Sequence, residues 1–444
     1  PESDDVAERI GANIARLIND GACIHTGFDT IPQAILRNLT EKNDLGVHTE
    51  IFSDSLVPLI ERGNVTNRRK KIDTNRCVAS LCLGTERLFR FVEENPVFEF
   101  QTTDYTNNPY IIGRNDRVTA IIGASRMDLT GQVAYSGATG GAVGGFGGDF
   151  DFIKGSSVSQ DGKAIIALRS TVNNGTESSI VSNLGQAVGV VASRADVHYV
   201  VTEFGIANLY GKCIRDRVMS LISIAHPGFR EQLIEEAKEL GYIYKDQVFI
   251  KESGYLYPYD LETTRKFKEK VEVLFRPIKP SDEPLMKELF YDLPPEAVYT
   301  RYFNQLKAMP HRRLQQYVNI DYETTMALVG TVGDLEHERV IAEGRYTGDP
   351  STDLAEVAFT VLDDYQNLGI ASFLLEYLAA IAKERGIRGF TAYVMHQNQP
   401  MIKVFRRLFP KMKVAMEEAG VYHVTMFFDA EGKEDARKNG AKAA

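Results

Sequence analysis

Two short segments of this chain have the composition of anion-binding loops. The first is a cluster of seven glycines within twelve residues, which Asp149 and Asp151 follow directly. Glycine lets the backbone approach a ligand closely and lets several N–H groups point at it. The same composition also fits an ordinary surface loop, so both interpretations stay open. The glycines are Gly137, Gly140, Gly141, Gly144, Gly145, Gly147 and Gly148.

The second segment lies between an apolar run over residues 356–362 and an apolar helical pattern over residues 373–386. A strand, a turn with small residues two apart and a helix N-terminus form a phosphate-binding arrangement, because free N–H groups and the helix dipole point at the turn. An ordinary strand–turn–helix connection also fits this pattern. The residues of the turn are Gln366, Asn367, Leu368, Gly369, Ile370 and Ala371.

The composition is that of an ordinary globular protein: 43% of the 444 residues are apolar and 25% are charged. A net charge of -9 disfavours a general role with nucleic acid or an anionic membrane. No apolar stretch approaches the ~18 residues of a membrane span. The four cysteines lack zinc spacing. They predict reduced thiols in a cytoplasmic protein, and no metal site is expected.

Hydropathy patterning divides the chain into two regions that must position these loops. Up to about residue 225, short runs rich in valine and isoleucine alternate with helical patterns, which favours an α/β sheet. A new pattern begins at residue 273 and continues to about residue 428. We therefore predict a first domain over 1–250, a linker over 251–271, a second domain over 272–429 and a mobile tail over 430–444.

Seven ordered segments of the first region resemble the acetyl-CoA hydrolase/transferase family of CoA-transferases, which includes 4-hydroxybutyrate and acetate CoA-transferases. The resemblance covers roughly residues 1–242 and implies an open α/β domain that acts on acyl-CoA. The matching segments are residues 27–35, 45–54, 106–109, 128–133, 145–152, 201–207 and 222–231.

The resemblance implies covalent catalysis by a carboxylate. In this family a glutamate attacks the acyl-CoA thioester, CoA then converts the mixed anhydride to a glutamyl-CoA thioester, and a small carboxylate reverses the sequence. Motif position assigns the nucleophile to Glu50 and the oxyanion donors to the Asn107 amide and the Gly148 N–H, with Gly147 as the near alternative. The glycines assigned to CoA binding are Gly27, Gly145 and Gly147.

Members of this family contain two similar α/β domains, with the glutamate on the second. The resemblance covers only that second domain. We therefore expect a partner N-terminal CoA-transferase domain that the chain does not include, and by family analogy a homo-oligomer.

The second region resembles the GNAT superfamily of acetyltransferases over roughly residues 272–428. The turn at 366–371 matches the Q/R-x-x-G-x-G/A signature, with Ala371 in place of the frequent second glycine. This resemblance implies an α+β domain that binds acetyl-CoA. Further matching segments are residues 273–282, 299–303 and 398–405.

The GNAT resemblance implies direct attack on acetyl-CoA by an amine, from a protein lysine or a small molecule. The amine must lose a proton, and Glu356 is the first candidate for the general base, with Glu343 second. A strand-edge carboxylate without a catalytic role remains the alternative for Glu356. By resemblance, backbone around Leu362 pairs with the pantetheine arm, residues 366–371 hold the pyrophosphate and Asn398 contacts the CoA arm.

These observations favour a bifunctional cytoplasmic enzyme with CoA and acetyl-CoA as substrates: a CoA-transferase domain followed by an N-acetyltransferase domain. The alternative is that one domain binds acyl-CoA without turnover and regulates the other. In that case the GNAT domain is the expected sensor, because its catalytic base is the less certain residue. His396 is interpreted as an exposed loop imidazole.

Overall fold

The chain forms two compact units, Pro1–Lys245 and Asp246–Ala444. A computed structural model describes residues 4–27, 30–134, 148–185, 188–248, 257–302, 308–333, 337–349, 351–418 and 420–428. Within these ranges, no helix combines the length and the apolar character that crossing a membrane requires.

The first unit contains a six-stranded, mostly parallel sheet at its centre and several smaller sheets. The strands are β1 (Cys23–Thr26), β2 (Gly46–Val47), β3 (Ile51–Ser53), β4 (Cys77–Ala79), β5 (Leu81–Leu83), β6 (Phe98–Phe100), β7 (Val118–Gly123), β8 (Met127–Asp128), β9 (Val133–Ala134), β10 (Lys163–Ala167), β11 (Thr171–Val172), β12 (Glu177–Ser178), β13 (Ile180–Val181), β14 (Val190–Ala192), β15 (Tyr199–Thr202) and β16 (Gly205–Asn208). The helices are α1 (Asp5–Ala15), α2 (Thr30–Arg37), α3 (Val57–Glu61), α4 (Glu86–Val92), α5 (Thr103–Thr106), α6 (Pro109–Ile112), α7 (Asp149–Val158), α8 (Ile214–Ile224) and α9 (Pro227–Glu239).

The strand order of this sheet is β16-β15-β10-β7-β1-β2, and only β16 is antiparallel to its neighbour. Strand β7 buries five consecutive residues, as expected for a central strand with both faces covered. Because neighbouring strands are parallel, the carboxyl ends of β1, β2, β7 and β10 meet at one edge. In open α/β sheets ligands bind at this edge.

Helices α1 and α2 pack closely against each other. The Asp4 carboxylate caps α1 by accepting a 2.8 Å hydrogen bond from the Ala7 N–H, and Ile10 and Ile14 are fully buried. A methyl group on Gly11 would lie 2.8 Å from the backbone of Ala34 in α2. Glycine at this position therefore allows the close crossing.

The second unit contains an eight-stranded sheet with helices packed on it. Its strands are β17 (Thr263–Phe267), β18 (Val271–Pro277), β19 (Thr325–Val332), β20 (Arg339–Gly348), β21 (Leu354–Val361), β22 (Gly389–Met395), β23 (Lys413–Glu418) and β24 (Val421–Phe427). Its helices are α10 (Glu283–Asp292), α11 (Pro295–Tyr302), α12 (His311–Val318), α13 (Ile370–Glu384) and α14 (Gln399–Leu408).

The order of this sheet is β17-β18-β19-β20-β21-β22-β24-β23, and only the β21–β22 pair is parallel. Helix α13 buries Ile370, Leu374 and Leu378 in a core shared with the sheet. The two units confirm the predicted fold class, an α/β domain followed by a mixed α+β domain. Strand β17 lies in the segment that we predicted as linker, where it pairs with β18 over five residues.

Candidate active sites

Glu50 lies at the carboxyl edge of the parallel sheet in the first unit, just after β2. Its carbonyl oxygen accepts hydrogen bonds from the N–H groups of Ser80 (3.0 Å) and Leu81 (2.9 Å), which fix the backbone. The side chain is half-buried. Gly27 follows β1, the neighbouring strand, so two predicted site residues stand at the same edge.

Asn107 and Gly148 converge on the Glu50 carboxylate. Asn107 ends α5, and Gly148 precedes α7. A methyl group placed on Gly148 would lie 2.6 Å from Oε2 of Glu50 and 2.5 Å from Nδ2 of Asn107. Three residues that are far apart in the sequence therefore surround one point, with a carboxylate and an amide donor on the same side of it.

A hydrogen bond orients the Asn107 amide. The Thr106 hydroxyl donates to Oδ1 of Asn107 at 3.0 Å, and the Ser80 hydroxyl contacts that of Thr106. Nε2 of His48 lies 2.9 Å from the carbonyl oxygen of Thr106. Because Oδ1 is engaged, the amide turns Nδ2, its donor end, toward Gly148.

Two buried imidazoles lie behind the site. The His25 ring stacks on Phe152 with centroids 3.5 Å apart, and its Nδ1 lies 3.1 Å from the Thr49 hydroxyl. Burial lowers the pKa of His25 to about 3 and the pKa of His48 to about 4. Both rings are therefore neutral near pH 7, and neither supplies a positive charge to Glu50.

A cleft of about 650 Å³ opens over Glu50, Asn107 and Gly148. Burial, and then the nearby Glu50 carboxylate, raise the pKa of Asp149 and of Asp151. The described residues that line the cleft include three carboxylates and no lysine or arginine, so its electrostatic character is acidic. They are Glu50, Thr103, Asp104, Asn107, Asn108, Pro109, Tyr110, Gly148 and Asp151. The predicted CoA-binding residues Gly145 and Gly147 lie outside the described residues.

Substituting alanine at Gly148 tests this convergence. Gly148 has φ -58°, which alanine adopts without strain, so the change acts through the added methyl group alone. We expect displacement of the Glu50 carboxylate and the Asn107 amide, and a fall of about 100-fold in the kcat of CoA transfer. Gly123→Ala is the control, since a methyl group there meets nothing within 4 Å. Equal rates for both variants would contradict the geometry.

In the second unit, the turn at 366–371 connects β21 to α13. Gly369 has φ +105°, a left-handed conformation that glycine tolerates and branched residues do not. Helix α13 starts directly after Gly369, without a side-chain cap or an acidic residue in its first turn. Its first N–H groups are therefore available to an anion.

Strands β21 and β22 separate next to this turn. They pair only over Leu354–Glu356 and Gly389–Thr391. Beyond that point, β21 pairs with β20 and β22 pairs with β24, so a wedge opens between them. Leu362, at the wide end, is buried, and its N–H donates a hydrogen bond to the Ile341 carbonyl oxygen. The open edge of β21 can pair with an extended ligand such as a pantetheine arm.

Glu356 is exposed at the narrow end of this wedge, opposite Thr391. Tyr393 lies near it on β22 and stacks on His423 of β24 with ring centroids 5.0 Å apart. Burial, then the carboxylates of Glu417 and Glu356, raise the pKa of Tyr393. Tyr393 could not be predicted from the sequence, because the pairing of β22 with β24 is what brings these rings together.

Asn398 caps α14, its Oδ1 accepting a 3.3 Å hydrogen bond from the Met401 N–H. His396 is exposed, as predicted, with Nδ1 3.3 Å from the Gly420 carbonyl oxygen. In the described part of the chain, no group of three or more His, Cys, Asp and Glu side chains could hold a metal ion.

Glu343, the second candidate base, is enclosed by arginines. Its carboxylate accepts hydrogen bonds from Arg345 and, at 3.3 Å, from Arg301, and its side chain is 2% exposed. Burial opposes ionisation, but the two guanidinium groups outweigh it and hold the pKa of Glu343 below its ordinary value. A carboxylate bound in this way is a poor proton acceptor, so the geometry favours Glu356.

The variant Glu343→Gln is therefore expected to affect stability. It removes the charge of a buried carboxylate that contacts two partly buried guanidinium groups, which should cost roughly 3–5 kcal/mol of unfolding free energy. A lowered pKa stabilises the fold above the unfolded value and loses that effect as pH falls. The difference from wild type should thus shrink below about pH 4. Denaturant unfolding at several pH values measures it, and a pH-independent difference would contradict the ion-pair explanation.

Comparison with known families identifies two domains. Residues 84–237 match the acetyl-CoA hydrolase/transferase C-terminal domain, and residues 285–409 match the acetyltransferase (GNAT) family. The chain therefore contains a region that matches the acetyl-CoA hydrolase/transferase C-terminal domain, followed by a region that matches the GNAT acetyltransferase family. Both families use CoA or its thioesters.

Individual relatives cover each domain separately. The succinyl-CoA:cyclohexane-1-carboxylate CoA transferase of Geobacter metallireducens is 43% identical over 243 residues, 55% of this chain and 56% of that protein. The 4-hydroxybutyrate coenzyme A transferase of Clostridium kluyveri is 42% identical over 239 residues, 54% and 56% respectively. The crystal structure of RipA from Yersinia pestis matches with a TM-score of 0.52 and 37% identity, over 55% of each chain. Acetyltransferase Pat of Mycolicibacterium smegmatis is 36% identical over 135 residues, 30% of this chain and 39% of Pat.

The chain thus spans about half the length of the curated CoA-transferase relatives it matches.

Proposed function

We propose that the first unit carries an acyl-CoA:carboxylate CoA-transferase activity that proceeds through a glutamyl-CoA thioester on Glu50. The observation that supports it best is the convergence of Glu50, Asn107 and Gly148. The described residues that line the cleft include no cation, so the half-buried Glu50 carboxylate stays nucleophilic, and the amide donor beside it is suited to an oxyanion.

The proposed cycle begins when an oxygen of Glu50 attacks the thioester carbonyl carbon. The C–S bond breaks, CoA thiolate leaves and an acyl-glutamyl anhydride remains. The thiolate then attacks the glutamyl carbonyl carbon and releases the free acid, leaving the glutamyl-CoA thioester. An acceptor carboxylate repeats these two steps in reverse and leaves as its CoA thioester. The Asn107 amide and the Gly148 N–H would stabilise the tetrahedral oxyanion of each step.

The substrates that we propose are an acyl-CoA and a small monocarboxylate. The cleft has three carboxylates and no cation among its described lining residues, so a second carboxylate on the acceptor would meet uncompensated negative charge. The names of two relatives contain monocarboxylates, cyclohexane-1-carboxylate and 4-hydroxybutyrate, and the first name also contains succinyl-CoA. Water in place of the acceptor would give hydrolysis.

For the second unit, we propose base-assisted transfer of an acetyl group from acetyl-CoA to an amine of a protein lysine or a small molecule. The wedge between β21 and β22 supports this, because an arm that starts at the 366–371 turn would end near Glu356. Glu356 is exposed and would accept the proton of the amine directly or through water.

Trapping the covalent intermediate tests the CoA-transferase proposal. The complete natural protein is incubated with acetyl-CoA and then with borohydride, which reduces a glutamyl thioester to an alcohol. Peptide mass spectrometry should find this change at Glu50, and the Glu50→Gln variant should lack it. An unmodified Glu50 in protein that transfers CoA would rule out the thioester mechanism.

A sensor role for the GNAT domain is the second candidate. It is favoured by the surroundings of the two candidate bases. Glu343 is held by two arginines, so of this pair Glu356 alone has an exposed carboxylate that could accept a proton. Acetylation of an amine that Glu356→Gln abolishes supports the enzyme. CoA transfer that responds to acetyl-CoA bound at the GNAT domain, without amine acetylation, supports the sensor.

A further inference from the structure

A β-hairpin that precedes the matched GNAT segment reaches the phosphate-binding turn of the second unit. Strands β17 and β18 pair from Thr263–Phe275 to Phe267–Val271, and the tip between them holds Lys268 and Glu269 at positive φ, 47° and 54°. The Lys270 N–H closes the tip by donating to the Phe267 carbonyl oxygen at 3.0 Å.

Aromatic packing fixes the hairpin against α13. The Phe267 ring contacts Phe275 and Phe373 with centroids 5.9 and 6.1 Å away, and the Arg265 guanidinium lies 5.5 Å over the Phe373 ring. A methyl group on Gly369 would find a carbon of Phe267 at 3.9 Å as its nearest neighbour. The tip therefore lies beside the first turn of α13.

Lys268 makes a direct contact with the turn. Its Nζ donates to the carbonyl oxygen of Asn367 at 2.5 Å, and Asn367 itself has φ +58°. The side chain is exposed. An ammonium group has three N–H donors, and Asn367 uses one of them. Two donors and a full positive charge remain at the position where the free N–H groups of α13 begin.

The surrounding charges make Lys268 the suitable cation. Lys266 is paired with Glu269 at 2.5 Å. Asp363 and Asp364 belong to the loop that leads into the turn, and Asp363 accepts a 2.8 Å hydrogen bond from Gln366. A doubly charged pyrophosphate next to two carboxylates requires a compensating cation, and α13 has no basic residue in its first turn to provide one.

We propose that Lys268 binds the pyrophosphate of CoA together with the N-terminus of α13. The inference rests on the proposed acetyl-CoA site of the second unit and adds a residue from outside the 366–371 signature. The lysine acts as a charged donor that is already held at the turn before the ligand arrives, so little of its side-chain freedom remains to be lost.

The test measures ligand binding at this turn alone, because the first unit also binds CoA in our proposal. Hydrogen–deuterium exchange of a peptide over residues 362–375 is followed against the concentration of CoA or of 3′-dephospho-CoA, which keeps the pyrophosphate. Lys268→Gln should raise the half-saturation concentration about tenfold for both ligands, and the increase should be smaller at high salt. Lys266→Gln, on the same hairpin, should change it less than about twofold.

Equal affinity of Lys268→Gln and wild type would overturn the inference. A loss of affinity for CoA but not for 3′-dephospho-CoA would also overturn it, because the contact would then be with the 3′-phosphate. Faster exchange of the unliganded variant would overturn it as well, because Lys268 would then stabilise the turn and not bind the ligand. Recovery of affinity in Lys268→Arg supports a role for charge. A wild-type turn that gains no protection from either ligand would refute the acetyl-CoA site itself, and with it this inference.

Discussion

Replacing Glu50 with glutamine should reduce the rate of CoA transfer by about 10⁴-fold or more, because a neutral amide is a much weaker nucleophile than a carboxylate. The shape of the cleft and the hydrogen bonds from Ser80 and Leu81 to the Glu50 carbonyl oxygen are unchanged by this substitution. The fold should therefore persist. Steady-state assays of the complete natural protein, with acetyl-CoA and a series of carboxylates, measure the effect.

Asp104→Asn provides the matched control, since Asp104 lines the same cleft. Removing its charge should change the rate by less than about tenfold. If both variants lost activity equally, general electrostatics rather than covalent catalysis would explain the result. Amine acetylation by the second unit should continue in Glu50→Gln, and its loss would show that the two activities are coupled.

Replacing Gly369 with valine should abolish binding of acetyl-CoA by the second unit, with an expected loss of about 100-fold or more. Gly369 has φ +105°, and a β-branched residue at this angle is a strained outlier. Relief of that strain moves the start of α13, and the N–H groups that would face the pyrophosphate move with it. Exchange protection of the peptide over residues 362–375 and the rate of amine acetylation both report the loss.

Gly386→Val distinguishes an effect on the binding turn from a general effect of backbone strain on α13. Gly386 ends the same helix with φ +81°, and a methyl group there meets nothing within 4 Å. The control should therefore lose stability to a similar extent and keep its affinity for acetyl-CoA. Equal loss of binding in both variants would mean that destabilisation of α13, rather than the turn, explains the effect.

Local patterns in the sequence were sufficient to predict several of the helices and strands. The alternating runs rich in valine and isoleucine predicted an α/β sheet, and β7 (Val118–Gly123) is one of its strands. The G-x-A turn predicted a strand–turn–helix, which β21 and α13 confirm. These features depend on periodicity and backbone preference, which neighbouring residues determine. The match to two families also follows from short segments in order along the chain.

The arrangement of side chains was decided by the tertiary structure. Glu50, Asn107 and Gly148 are far apart in the sequence, and they meet because parallel strands bring their carboxyl ends to one edge. From the sequence, Glu356 was the first candidate for the general base and Glu343, on the preceding strand, the second. Burial beside two arginines separates them, since the charge of Glu343 is already neutralised and that of Glu356 is not.

Lys268 shows the same limit most clearly. In the sequence it stands in a charged run that we predicted as linker, 99 residues before the turn that it contacts. Nothing in its neighbours distinguishes it from Lys266 or Lys270. The hairpin pairing of β17 with β18 and the packing of Phe267 on α13 bring it to the turn. The sequence by itself thus determined the two folds and predicted the loops that we propose to face CoA, whereas long-range packing decided which charged groups lie beside them.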